Sequence, residues 1–257
     1  MSRHIDFEGI ENFRDFGGYG TACGRGLGHG RLYRSGAHHA ATDADLERLS
    51  ELGVAAIVDL RQPHERQRDP SRRWPGFGAR VIENDIISEH PDWLVKIKAA
   101  EPTPEWFFED TRTFYRSAPL EPRHLHLFAA YFRALAEADG AVLVHCAAGK
   151  DRTGMVCALT HHVAGVHPDD IMADFMLTND EARIERKVAA LEVYFRESLD
   201  RPVPEAAMRA AVSVHPAYLE AAFEVMTEAH GSVDGYLETA LGVDDALRTK
   251  IRNRLLG

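Results

Sequence analysis

Apolar positions along the chain fall into two kinds of spacing. Short unbroken runs, VAAIVDL at 54–60 and AVLVH at 141–145, follow Gly53 and Gly140 and read as strands buried on both faces. Elsewhere apolar residues recur every three or four positions. Leu46, Leu49 and Leu52 predict a helix that opens at Thr42 and stops at Gly53. Leu125, Phe128, Phe132 and Leu135 predict another over 121–138, ended by Asp139-Gly140. A strand, a helical connection and a second strand predict a parallel pair, because such crossovers need this length. Upstream, FRDFGGY and GRLYRSG flank a glycine-rich stretch and predict an antiparallel hairpin within 12–36. A helix is expected directly after Arg152, and another at Pro168 with Asp169 and Asp170 at its positive end. From there to Gly257 the pattern is helical, with Gly and Pro breaks. The fold class is therefore α/β: a central mixed, mostly parallel sheet flanked by helices, with a helical C-terminal half.

Composition narrows the functional classes. The 257 residues are 45% hydrophobic and 27% charged, enough for a sizeable core and unlike a disordered chain. No repeat, low-complexity tract or linker divides them, so residues 1–257 are expected to form one domain. A formal net charge of -10 argues against a nucleic-acid binder, which needs a basic face. No apolar run is long enough to span a membrane. MSRHIDFEGIENFRDFGG lacks the apolar region of a signal peptide, so a cytoplasmic location is expected, with signal-less export left open. The three cysteines, Cys23, Cys146 and Cys157, suggest no disulfide framework.

The chemistry gathers in AVLVHCAAGKDRTG, 141–154. In a parallel sheet, ligands collect beyond the carboxyl ends of the strands. There one strand delivers Asp59 and Arg61, and the other delivers Cys146. Ala147, Ala148 and Gly149 are small enough to let the backbone curl, turning their N–H groups inward as an anion nest ahead of a helix N-terminus. Arg152 is placed to grip two oxygens of a phosphate. The same positive field favours the Cys146 thiolate, and Thr153 can donate a hydrogen bond to it. His145 points to the other side of the strand end and shapes the loop from behind. Lys150, at the rim, could meet a second phosphate or pair with Asp151. These residues suit a two-step transfer through a phosphocysteine, with backbone dipoles and Arg152 covering the charge and neither metal nor cofactor required.

HCAAGKDRTG resembles the C-x5-R signature of protein tyrosine phosphatases, in the form found in the bacterial atypical tyrosine/lipid phosphatase family. NFRDFGGY (12–19), LYRSG (32–36), DLR (59–61), FMLTN (175–179) and GSVDGYLETALG (231–242) are similar to that family's other motifs, so the likeness covers nearly the whole chain. The resemblance implies a cysteine-dependent phosphatase fold and a phosphorylated protein as substrate, on phosphotyrosine, with phosphoinositides or phosphoserine as further possibilities. It also implies Asp151 as the general acid. RWPG at 73–76 carries Gly76 where conventional members have an aspartate. Asp59 and an acid within 85–110 are the alternative donors.

Other features carry bland readings beside functional ones. Cys157 lies on an apolar helix face and is expected in the core. The histidines at 38–39, 161–162 and 124–126 lack zinc-site spacing. Trp93, Trp106, Phe107, Phe108, Phe114 and Tyr115 form either a lid within about 85–118 or plain core. Arg66, Arg68, Arg72 and Arg73 are solvated surface or a steering patch. Two competing functions remain at this level: a sulfurtransferase and a non-catalytic phosphate-binding module. The sequence does not set the oligomeric state.

Overall fold

The computed structural model describes residues 3–88 and 93–257. The hairpin forms with β1 (Arg14–Asp15) antiparallel to β2 (Leu32–Ser35). The chain continues through α1 (Asp43–Glu51), β3 (Val54–Asp59), α2 (Pro63–Arg68) and β4 (Arg80–Ile82). Helices α3 (Trp93–Ala99), α4 (Pro104–Ser117) and α5 (Pro122–Glu137) lead to β5 (Ala141–His145). The remainder is helical: α6 (Asp151–Ala164), α7 (Pro168–Met176), α8 (Glu181–Ser198), α9 (Glu205–Val212), α10 (Pro216–His230), α11 (Val233–Thr239) and α12 (Asp245–Leu255).

The sheet order is β1-β2-β5-β3-β4, and every pair except β1–β2 is parallel. The two apolar runs are thus neighbours, in register from Ile57 opposite Leu143 to Asp59 opposite His145. Their continuous hydrophobicity follows from burial on both faces. Val142 and Val144 face the large core with α5, α6 and α10, whereas Ala141 and Leu143 face a second core with α1. The same alternation runs through Ile57 and Val58, and an irregularity between Val54 and Ala56 resets it.

Local signals explain the boundaries. Thr42 caps α1 by accepting from the Asp45 N–H, while the Asp45 carboxylate accepts from the Thr42 N–H. Gly53 follows at φ +61, where a side chain would be strained. One boundary differs from expectation. Helix α6 starts at Asp151, so Arg152 lies inside its first turn rather than ahead of it. The aromatic segment packs as core at its inward positions: Phe107 joins a third cluster with α8 and α9, and Tyr115 joins the large one. Within the expected 85–118 lid, residues 89–92 lie outside the described residues.

Candidate active site

The loop between β5 and α6 is held from outside by its carbonyls. The Ala147 carbonyl accepts from the Ala37 N–H at 2.9 Å. The Gly149 carbonyl accepts from Asn12 Nδ2 at 2.7 Å and from Arg34 Nη2 at 2.8 Å. Holding these two oxygens to the surrounding chain suits an anion nest, in which the amide groups of the curl face its centre. Gly149 is obligatory. Its φ is +62, and a Cβ there would lie 2.4 Å from the Ser35 backbone.

Behind the loop lies a buried polar network that the sequence reading did not isolate. Arg14 Nη1 donates to Asn12 Oδ1 at 2.6 Å and its Nη2 to the Asp174 carbonyl at 2.9 Å; Arg34 meets Asp174 Oδ2 at 3.3 Å. Two arginines share one carboxylate, leaving an excess positive charge under the loop. Burial, then the proximity of Arg34, lowers Arg14 to about 10, against the pull of Asp174. Asn12, Arg14 and Arg34 lie in the N-F-R and Y-R-S stretches and Asp174 just ahead of F-M-L-T-N, but nothing in the sequence pairs residues 140 positions apart.

Arg152 is anchored rather than free. Its Nη1 and Nη2 reach Glu65 Oε2 and Oε1 at 2.5 and 2.8 Å, and Nη1 also donates to the Leu60 carbonyl at 3.2 Å. Burial alone would raise the Glu65 carboxyl, but Arg152 brings it down to about 2, so the pair stays ionised. Glu65 thus fixes the guanidinium through Nη1 and Nη2, and the fork formed by the Nε hydrogen and the second Nη2 hydrogen is the side that suits two phosphate oxygens.

Cys146 is 2% exposed, deeper than an open loop implies, and Thr153 beside it is fully buried with no partner for its Oγ1. Asp151 is partly exposed at the start of α6. Its buried Oδ1 forms an ion pair with Lys150 Nζ at 3.7 Å. The buried Tyr115 hydroxyl is turned to Asp151, and burial followed by the Asp151 charge holds that phenol well above its ordinary range.

Three expected ligand contacts are spoken for. Asp59 and Arg61 do reach the site end of the sheet, but they bind each other, Arg61 Nε at 3.0 Å from Oδ1 and Nη2 at 2.7 Å from Oδ2. The other Arg61 donors go to the Asp69 carbonyl and to Ser71 Oγ. Burial would raise Asp59, yet His145 and Arg61 hold it well below the usual carboxylate range. Lys150 is not at an open rim. Its Nζ is buried against α9, donating to the Ala211 and Ser213 carbonyls at 2.6 and 3.3 Å. Its charge is spent on a helix end.

His145 does support the loop from behind. It stacks on His38 at 4.6 Å, with Nε2 3.5 Å from Asp59 Oδ2 and Nδ1 3.4 Å from the Cys146 carbonyl. Burial lowers it to about 4, so the imidazole is neutral at pH 7. Cys157 is core, as expected, its thiol pushed up to about 12 by burial. Of the four arginines after β3, Arg66, Arg68 and Arg72 pair with Asp85, Asp69 and Asp43, and Arg73 lies 3.5 Å from His38.

Comparison with known proteins gives the arrangement its context. Residues 5–257 match the model of the tyrosine phosphatase family. The chain belongs to that family. A Cupriavidus necator protein that carries a tyrosine-protein phosphatase name is 34% identical over 250 residues, covering 96% of this chain and 87% of its own. The triple specificity protein phosphatase PtpB of Mycobacterium tuberculosis is 29% identical, covering 98% and 99%. A tyrosine-protein phosphatase of Nostoc commune is 27% identical, covering 83% and 70%. The tyrosine phosphatase family therefore accounts for the whole described fold, and the chain is a cysteine-dependent phosphatase.

Proposed function

We propose that this phosphatase hydrolyses phosphotyrosine in proteins through a phosphocysteine on Cys146. The observation that carries the reading is the Nε–Nη2 edge of Arg152, on the side away from Glu65, beside a loop whose Ala147 and Gly149 carbonyls are held by the surrounding chain. An incoming phosphate dianion meets amide dipoles and that edge, and Cys146 Sγ attacks phosphorus as the ester P–O bond breaks. Asp151 gives its proton to the departing phenolic oxygen. It then takes one from the water that attacks the S–P bond, releasing phosphate and restoring the thiolate. A second phosphate on the substrate, as in a phosphoinositide, would find Lys150 already bound to α9.

Turnover of a phosphotyrosine peptide and of p-nitrophenyl phosphate tests the roles together. Cys146→Ser is expected to abolish both activities while still binding inorganic phosphate. Asp151→Asn is expected to slow the phosphopeptide at least about tenfold more than the activated aryl ester. Near-wild-type rates for Cys146→Ser would remove it as the nucleophile. Equal losses on both substrates would leave Asp151 as a shaper of the loop.

A further inference from the structure

Arg123 is a buried cation with no obvious reason to be where it is. It is 1% exposed and sits in the first turn of α5, the end at which the helix dipole disfavours positive charge. All its hydrogen bonds go to neutral oxygens: the Asn84 carbonyl and Oδ1 at 3.2 and 2.6 Å, the Ile86 carbonyl at 2.8 Å, the Leu60 carbonyl at 3.4 Å and the Arg61 carbonyl. Its Nε is buried and unpartnered, and no carboxylate pairs with it among the described residues. The nearest acids are committed elsewhere: Glu65 to Arg152, Asp59 to Arg61, and Glu121 to His124 and Ser88. Asp85, paired with Arg66, has an 89% exposed side chain and is screened by water.

The Leu60 carbonyl joins this residue to the site. It accepts from both Arg123 Nη2 and Arg152 Nη1, so two guanidinium groups converge on one oxygen. Burial, then Arg152, then Arg66 lower Arg123 to about 10, the mark of a cation held among cations. A buried charge normally has a partner, because leaving one unpaired away from water is strongly unfavourable.

We infer that Arg123 is an electrostatic positioning residue of the phosphate site, holding an uncompensated positive charge beside Arg152 for a doubly charged phosphate. The inference rests on reading the 146–152 loop as that site. Arg123 need not touch the ligand, since one unit charge in a low-dielectric surround acts across a side-chain layer. The rival role is mechanical. Five directional bonds clamp the β3–α2 connection to the segment after β4, and any loss of geometry would then loosen Arg152.

Arg123→Lys separates the two roles, because it keeps the charge and gives up the fork. Calorimetry with inorganic phosphate reads binding without reference to turnover, so a wild type that binds but does not hydrolyse would defeat the proposed activity and not this inference. Arg123→Lys is expected to stay within about threefold of the wild-type affinity, and Arg123→Gln to lose about tenfold or more, with both melting cooperatively. A tenfold loss in Arg123→Lys, or no loss in a folded Arg123→Gln, would overturn the inference. So would a wild type that binds no phosphate. If Arg123→Gln does not fold, Arg123→Lys alone decides.

Discussion

His145 shows how much one residue beside the nucleophile can couple to stability. Its ordinary value is 6.5 and its buried value is about 4, lowered by burial and opposed by Asp59. The unfolded chain therefore binds more protons than the folded one between those values. This contribution is complete above about pH 6.5 and is lost as pH falls towards 4, at roughly 1.4 kcal/mol per pH unit in the middle of the window. His38, lowered by burial and by His145, adds to the same slope. Denaturant titrations at pH 7 and pH 5 are expected to show a smaller acid loss for His145→Gln than for wild type. An equal loss would place the acid sensitivity elsewhere. At this scale the sequence was legible where chemistry is local. Cys146, Arg152 and Thr153 declare themselves by spacing within eight residues of one another. Glu65, Asn12, Arg34 and Asp174 do not, because their partners are set by the fold: Asn12 lies 137 positions from the carbonyl it holds. The partners of Asp59, Arg61 and Lys150 were hidden for the same reason. The type and place of these three residues fitted a ligand, and only the fold supplies the oxygens and the helix end that occupy them.

At the scale of elements, the phosphate loop is joined to the C-terminal helices through one short turn. Lys150 takes the Ala211 and Ser213 carbonyls, Arg183 takes Val212 at 3.0 Å, and Asn179 Nδ2 takes Val214 at 2.8 Å. Four consecutive carbonyls at the end of α9 and just beyond it are thus satisfied by side chains from the loop and from the α7–α8 region, as a buried helix end demands. Lys150→Ala would leave two of those carbonyls without their donor and free the loop's last residue. The expected result is a similar fall in kcat/KM, about tenfold, on a phosphotyrosine peptide and on any phosphoinositide that the wild type hydrolyses. A loss confined to the phosphoinositide would instead show Lys150 reading a second phosphate. The elements themselves were legible in proportion to their apolar content. β3, β5, α1 and α5 carry long unambiguous patterns. β4 is three residues with only Ile82 buried, and α2 buries no residue at all, so neither leaves a periodic trace.

For the whole molecule, the contrast is between a net charge of -10 and a site ringed by buried arginines. Arg14 and Arg34 share Asp174, and Arg123 and Arg183 bond mainly to carbonyls, so positive charge is concentrated around the loop while the exterior is acidic. Such an arrangement focuses the field on a small anion at one place and discourages polyanions elsewhere. Asn12, Arg14 and Arg34, from two motifs far from the loop in sequence, each support the charged cradle around it. The central claim is that Cys146 carries the phosphoryl group between substrate and water. It is tested most directly by mixing enzyme and a phosphotyrosine peptide in a single turnover, quenching by denaturation, and locating the phosphate by mass spectrometry. The account predicts a phosphorylated peptide containing Cys146 that decays as free phosphate appears; transient phosphate on any other residue would contradict it.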